Sequence, residues 1–350
     1  MSSSTDSRSG WHRGLLLPVV VGAAWRLGVL IVDKWHQPLL LNDSLYYSAQ
    51  ARQLVDGVWF REIFVDQPGA EHGPLTSTLM ASISWMDQPV PWQRLLTVVC
   101  GIVTIVVLGV VAGRLAGRRA GVVAASIAAV YPNLWMNDGL VMSESISVLC
   151  VSVLLLLAHR ALQRRDRRSF AMVGLAVGLG ALARSELALV APLLALVTWW
   201  AMRRRDTADT ADTADTADTA RAPGGRREPL VAAAIVLLCF VGTISPWVVF
   251  NLARFEKPVT LTTNDGTTLL GAYCNDTFHG PDRGGWSLVC VVSDPEYQQD
   301  EEPSVRSARQ RDLAISYARQ HVRELPGVVV ARVGRTLDLL RLDSLVAQDV

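Results

Sequence analysis

Long apolar runs separated by short charged segments set the pattern of this chain. Apolar stretches occupy about Gly14–Val32, Leu95–Val111, Gly121–Trp135, Leu140–Ala158 and Pro229–Phe250. Residues 171–201 are also apolar, apart from a break at Arg184-Ser185-Glu186. An apolar helix of roughly 20 residues crosses a bilayer, and helices satisfy their own backbone there. The arginines set the orientation, because cytoplasmic loops are enriched in Lys and Arg. Arg13, the Arg114–Arg119 group and the Arg160–Arg168 group fall on one side if the first four spans alternate. Arg203–Arg205 and Arg226–Arg227 join that side only if residues 171–201 cross twice, as two short helices with Arg184-Ser185-Glu186 at the outer turn.

The expectation is an all-α polytopic membrane protein with about seven spans and its N-terminus inside. Residues 1–13 are then a cytoplasmic N-terminus, and the run that follows is long enough to be a signal anchor. Residues 14–250 form the transmembrane core, with residues 33–93 as an exterior loop and 203–228 as a cytoplasmic low-complexity linker. The Asp-Thr-Ala triplets of Asp206–Ala220 read as a repeat-expanded linker. Residues 251–350 form a small exterior segment of mixed structure. In it, Val259–Leu270 reads as two short strands about an Asn-Asp-Gly turn. Ser304–Arg323 reads as a polar helix, with an interruption at Pro326-Gly327. Val328–Leu342 is amphipathic and suited to a membrane surface.

Composition narrows the class. Half of the 350 residues are hydrophobic, 19% are charged and the net charge is +1. This excludes a disordered chain and argues against a nucleic-acid partner, which would call for a basic excess.

Asp43 is the sharpest chemical candidate, about one turn beyond the first span where the outer interface meets water. A carboxylate at that height could act as a base towards a substrate held at the interface. Asn42-Asp43-Ser44 are equally good helix caps, and a capping site would also fix the carboxylate. His72, between Glu71 and Gly73-Pro74, could hold a phosphate. Glu71 and His72 could also ligate a divalent metal, although two adjacent ligands are a weak signal. Glu144 lies just inside the start of the fourth run, where an ionisable group usually faces a polar cavity and could orient a substrate or support a metal, and a helix-start carboxylate is an equal reading. Arg184 suits a phosphate or a local pair with Glu186. Arg26, in mid-span, must find a partner or a water cavity. Cys274 and Cys290 share a polar segment and could form a disulfide in an oxidising compartment. A metal site with His279 has too few ligands.

Several motifs then coincide in order: NDSLYYSAQARQL, EHGPLTS, YPNLWMNDGLVMSES, GLAVGLGALARSELALVAP and PWVVFNLARFEKPVTLTTNDGTTLLGAYCN. Over about Gly14 to Gly327 the chain resembles the GT-C superfamily of membrane glycosyltransferases, in particular the glycosyltransferase family 39 type. That group includes protein O-mannosyltransferases and aminoarabinose transferases of lipid A. The resemblance implies inverting transfer of a sugar from a polyprenyl-phosphate donor to a cell-envelope acceptor, on the exterior face of the cell membrane. It makes Asp43 and Glu144 the catalytic acidic residues and puts His72 and Arg184 at the donor phosphate. The mannosyltransferase branch often has an adjacent acidic pair where this chain has Asn42-Asp43, which points away from protein O-mannosyl transfer. It also implies further spans after the exterior segment, for which the residues before Val350 would be the lead-in. The rival readings are a transporter or flippase for a lipid-linked glycan, and a non-catalytic envelope-assembly protein.

Overall fold

A computed structural model of the chain describes residues 6–39, 43–213, 227–280, 282–294, 296, 298, 300–337, 339 and 340. For residues 6–13 and 205–213 it describes only the helical backbone. The described helices are α1 (Asp6–Val29, continued by a π-helical turn Leu30–Lys34), α2 (Asp43–Val55), α3 (Pro74–Ala81), α4 (Pro89–Ala116), α5 (Arg118–Val130), α6 (Pro132–Trp135), α7 (Glu144–Arg164) and α8 (Arg167–Ala183). A 3-10 turn at Ser185–Leu189 leads into α9 (Val190–Thr213). Then come α10 (Glu228–Leu252), α11 (Asp265–Ala272), α12 (Asn275–Phe278), α13 (Leu288–Val292), α14 (Pro303–Gln320) and α15 (Leu325–Thr336). The Asp-Thr-Ala triplets fall partly in α9 and partly outside the described residues.

Five helical stretches are long and apolar enough to cross a membrane: Gly14–Lys34, Pro89–Ala116, Glu144–Arg164, Ser185–Arg204 and Glu228–Leu252. The other two expected crossings fall on α5, with 13 residues, and α8, with 17. Both are shorter than a full span. The chain divides into two compact units, residues 1–60 with 73–247 and residues 61–72 with 248–350. The expected exterior loop 33–93 is therefore shared between them.

In the first unit small residues let helices approach closely, the usual device where lipid removes the hydrophobic drive between helices. A Cβ on Gly22 would lie 2.5 Å from Ile105 Cδ1 and 3.0 Å from Ala129 Cβ. One on Gly121 would lie 2.7 Å from the Gly109 carbonyl oxygen. Gly117, at φ 87°, takes the left-handed turn that separates α4 from α5. Leu154, Phe170, Val173, Val177, Ala191 and Val236 form the main core of α7 to α10.

Arg26 has the partner that its depth demanded. Its Nε donates to Asp138 Oδ2 at 2.6 Å, with both side chains almost fully buried. The guanidinium also donates to the carbonyls of Ala128 and Ala129 at 3.0 and 2.8 Å. Lys34 Nζ donates to the carbonyls of Met136 and Asp138 at 2.8 and 3.0 Å. The first helix thereby fixes the segment that leads into α7.

The second unit corrects the expectation of mixed structure: it is helical, with no strand among the described residues. Residues 258–263 are bends and irregular backbone, and the link from Thr263 N to the Ala70 carbonyl, at 2.7 Å, is a single bond and not a ladder. Asn264-Asp265-Gly266 does not turn a hairpin; it starts α11. Asp265 favours a helix start, and Gly266 and Leu270 recur at helical spacing on the buried face. Ser307 Oγ donates to Asp265 Oδ1 at 2.6 Å, and Thr267 Oγ1 donates to Gln310 Oε1 at 2.9 Å, which ties α11 to α14. Pro326-Gly327 also departs from expectation. Proline is tolerated in the first helical turn, so it opens α15, and the break falls at residues 321–324 instead. Cys274 and Cys290 are joined by a disulfide, with Cα atoms 6.3 Å apart.

Candidate active site

Two helix starts and one helix end converge in the first unit. Asp43 opens α2 and is half-buried, while Asn42 before it lies outside the described residues. Glu144 opens α7. Both carboxylates sit in first turns, where the helix dipole favours negative charge. Arg184 follows directly on α8, its backbone N–H donating to the Gly180 carbonyl at 2.9 Å.

Tyr47 lies between them. One turn after Asp43 on the same face of α2, it is buried and shares a side-chain hydrogen bond with Ser143. Burial pushes its phenol above the usual tyrosine range, and the charges of Asp43 and Glu144 push the same way while Arg184 opposes them. Three of the four residues singled out from the sequence, Asp43, Glu144 and Arg184, are therefore within electrostatic reach of one buried hydroxyl. Arg184 Nη1 donates to Glu144 Oε1 at 2.7 Å, and its Nη2 lies 3.7 Å from Glu186. The second Glu144 oxygen, Oε2, is buried with no hydrogen-bond partner among the described residues. It can accept a proton donor brought by a ligand.

The scaffold is held by a polar network. Gln50 Nε2 donates to the Tyr46 hydroxyl at 2.8 Å, and Ser77 Oγ donates to Gln50 Oε1 at 3.1 Å, which fixes α2 against α3. Gly73 caps α3 and presses on the end of α8, where an added Cβ would overlap the Leu182 carbonyl oxygen. Asp138 Oδ1 accepts from Ser145 Oγ at 2.6 Å, which anchors the first turn of α7 beside Glu144.

A groove of about 460 Å³ runs along α7 past Val148, Val151 and Leu155, and its lining also includes Leu108, Leu187 and Arg184. Its walls are mainly apolar, and Arg184 and Glu186 are the charged residues that line it.

His72 belongs to the second unit. Its charged surroundings there are those of Glu62: Glu71, His72, Arg254 and Arg306 all act on the Glu62 carboxyl. Burial and the neighbouring Glu71 push that carboxyl up to about 7. No group of three or more His, Cys, Asp or Glu among the described residues could hold a metal ion, so Glu71 and His72 gain no third protein ligand.

Sequence reasoning missed Tyr47 and Ser143. The spacing of Asp43 and Tyr47, four residues apart, puts them on one helix face and could have flagged Tyr47. Nothing in the sequence links Ser143 to Tyr47.

Residues 73–210 match the family model of dolichyl-phosphate-mannose-protein mannosyltransferases. That segment contains Glu144 and Arg184, whereas Asp43 and His72 precede it. No curated protein matches the chain in sequence. Among solved structures the chain is similar to the oligosaccharyltransferase of Archaeoglobus fulgidus in its complex with Zn and sulfate. The TM-score is 0.50 at 13% identity, over 95% of this chain and 39% of that one. The apo form of the same enzyme aligns at a TM-score of 0.45 and 14% identity, over 85% of this chain and 41% of that one. The chain thus spans about two-fifths of the length of the structures it matches. Residues 73–210 thus resemble a membrane mannosyltransferase family, and the chain shares the fold of the oligosaccharyltransferase.

Proposed function

We propose that the protein transfers a sugar from a polyprenyl-phosphate donor to a hydroxyl of a cell-envelope acceptor, on the exterior face of the cell membrane and with inversion. The observation that carries this reading is the Asp43–Tyr47–Glu144–Arg184 cluster beside a mainly apolar groove lined in part by Arg184. A prenyl chain suits such a groove, and a guanidinium suits the phosphate that would sit at its charged end.

In this reading Asp43 takes the proton of the acceptor hydroxyl as its oxygen attacks the sugar C1. The bond from C1 to the phosphate oxygen breaks, and the electron pair leaves on the polyprenyl phosphate. Arg184 stabilises that developing charge. One in-line displacement inverts the configuration at C1. Glu144 holds Arg184 with one oxygen and orients the acceptor with the other. Tyr47 keeps the two carboxylates apart and positioned.

The test is transfer from labelled polyprenyl-phosphate sugars in native-host membranes, with wild type compared with Asp43→Asn at the chromosomal locus. Loss of the new glycosidic bond, with normal protein level and retained donor binding, supports the reading. Equal transfer in both removes Asp43 as the base. Movement of the intact lipid-linked sugar without bond formation would identify a transporter.

A further inference from the structure

The amphipathic stretch near the end of the described chain has a use that the proposed site does not absorb. On α15 the exposed positions are Pro326, Gly327, Val329, Val330, Val333 and Thr336, followed by Leu337. Their spacing follows the helical repeat and makes one continuous stripe, apolar but for Thr336 and with no charged residue on it.

This stripe is not a core face left without its core. The opposite side of α15, with Val328, Gly334 and Arg335, is already buried. A Cβ on Gly284 would lie 2.7 Å from Ala331, and Arg335 Nη1 donates to the Arg283 carbonyl at 3.4 Å. The loop on which α15 rests is the one closed by the Cys274–Cys290 disulfide. Next to that loop, α13 exposes Leu288, Val289 and Val292. The second unit therefore carries two short helices with a packed inner face and an unpaired apolar outer face.

We propose that the outer face of α15 lies on the lipid surface, with Val329, Val330, Val333 and Leu337 in the boundary between headgroups and acyl chains. Three observations favour lipid over another protein. First, α15 has 12 residues, about 18 Å of helix, which suits lying on a bilayer better than crossing one. Second, the longer segment of the same unit begins at Val248–Leu252, the end of a helix apolar and long enough to span, with Val249 and Leu252 exposed. The unit is thus tethered at a membrane. Third, the stripe is flanked by arginines. Arg319 and Arg323 are exposed just before α15, whereas Arg332 on its side is held by the Ala272 carbonyl and the Tyr273 ring. Guanidinium groups pair with lipid phosphates beside an apolar face that inserts.

The test uses the full chain in nanodiscs of phosphatidylcholine and phosphatidylglycerol, with Cys100, Cys150 and Cys239 replaced by alanine. Single cysteines at Val329, Val330 and Val333, with exposed Thr268 on α11 as reference, are labelled with a polarity-sensitive fluorophore. Nanodiscs with and without doxyl-labelled lipid are compared. The expected result is blue-shifted emission that doxyl lipid quenches at all three stripe positions, and water-like unquenched emission at Thr268. Water-like emission on the stripe overturns the proposal. So does a blue shift that doxyl lipid leaves unquenched, which would assign the face to a second copy or another protein.

Discussion

Arg184 and Glu144 are joined by a 2.7 Å ion pair across 40 positions of sequence, which locks the end of α8 to the start of α7. The pair is partly exposed, so its weight lies in geometry more than in stability. Arg184→Ala is expected to lower transfer roughly 10²-fold, the usual cost of removing one preorganised charge-stabilising donor. Arg184→Lys keeps the charge but loses the planar fork, and should fall between wild type and Arg184→Ala. Steady-state transfer kinetics check this. Equal rates in all three proteins would remove Arg184 from the reaction.

The buried pair of Arg26 and Asp138 behaves differently. Asp138→Ala leaves a guanidinium buried without its carboxylate, which typically costs about 3–5 kcal/mol. The double change Arg26→Met with Asp138→Leu should recover much of that loss, since an apolar pair needs no compensation. Thermal unfolding in detergent separates the two cases. A double variant as unstable as Asp138→Ala would mean that the guanidinium bonds to Ala128 and Ala129 dominate.

Glu62 predicts a pH dependence. Its carboxyl is raised from 4.5 to about 7, first by burial and then by Glu71. The folded state therefore holds the proton more tightly than the unfolded state. Stability falls as pH rises through the window between those two values, by up to about 3 kcal/mol. Glu62→Gln, which stays neutral, should melt higher than wild type at pH 8 and close to it near pH 4. Parallel melting curves at both pH values would refute a raised carboxyl.

Gly73 is limited by space. Its backbone, at φ −65° and ψ 151°, is open to any residue, yet a Cβ there would overlap the Leu182 carbonyl two residues before Arg184. Gly73→Ala should cost about 1–3 kcal/mol by overpacking and should lower transfer by moving Arg184. A variant with wild-type melting and wild-type transfer would show that the contact relaxes freely.

Much of the scaffold was legible in the sequence. Hydropathy marked the long helices because a bilayer crossing demands an unbroken apolar run. The break at Arg184 was visible because ionisable residues interrupt such a run, and it recurs as the turn between α8 and α9. Val259–Leu270 was misread because a threonine-rich stretch around Asn-Asp-Gly matches a hairpin locally. The pairing of Asp265 and Gly266 with Ser307 on α14 draws it into a helix instead, and no local pattern reports a partner some forty residues away.

The sequence by itself determined which residues had to be solved for: an arginine in mid-span, carboxylates at helix starts, and an arginine between two apolar helices. Each is costly where it stands, and that cost is readable from hydropathy alone. Only the tertiary structure decided the partners. It gave Arg26 to Asp138, Arg184 to Glu144, and put Tyr47 among Asp43, Glu144 and Arg184. Those pairings depend on helix packing set by glycines such as Gly22 and Gly73, where the missing Cβ lets two backbones meet. A linear pattern carries the need for a partner but not the distance at which packing supplies one.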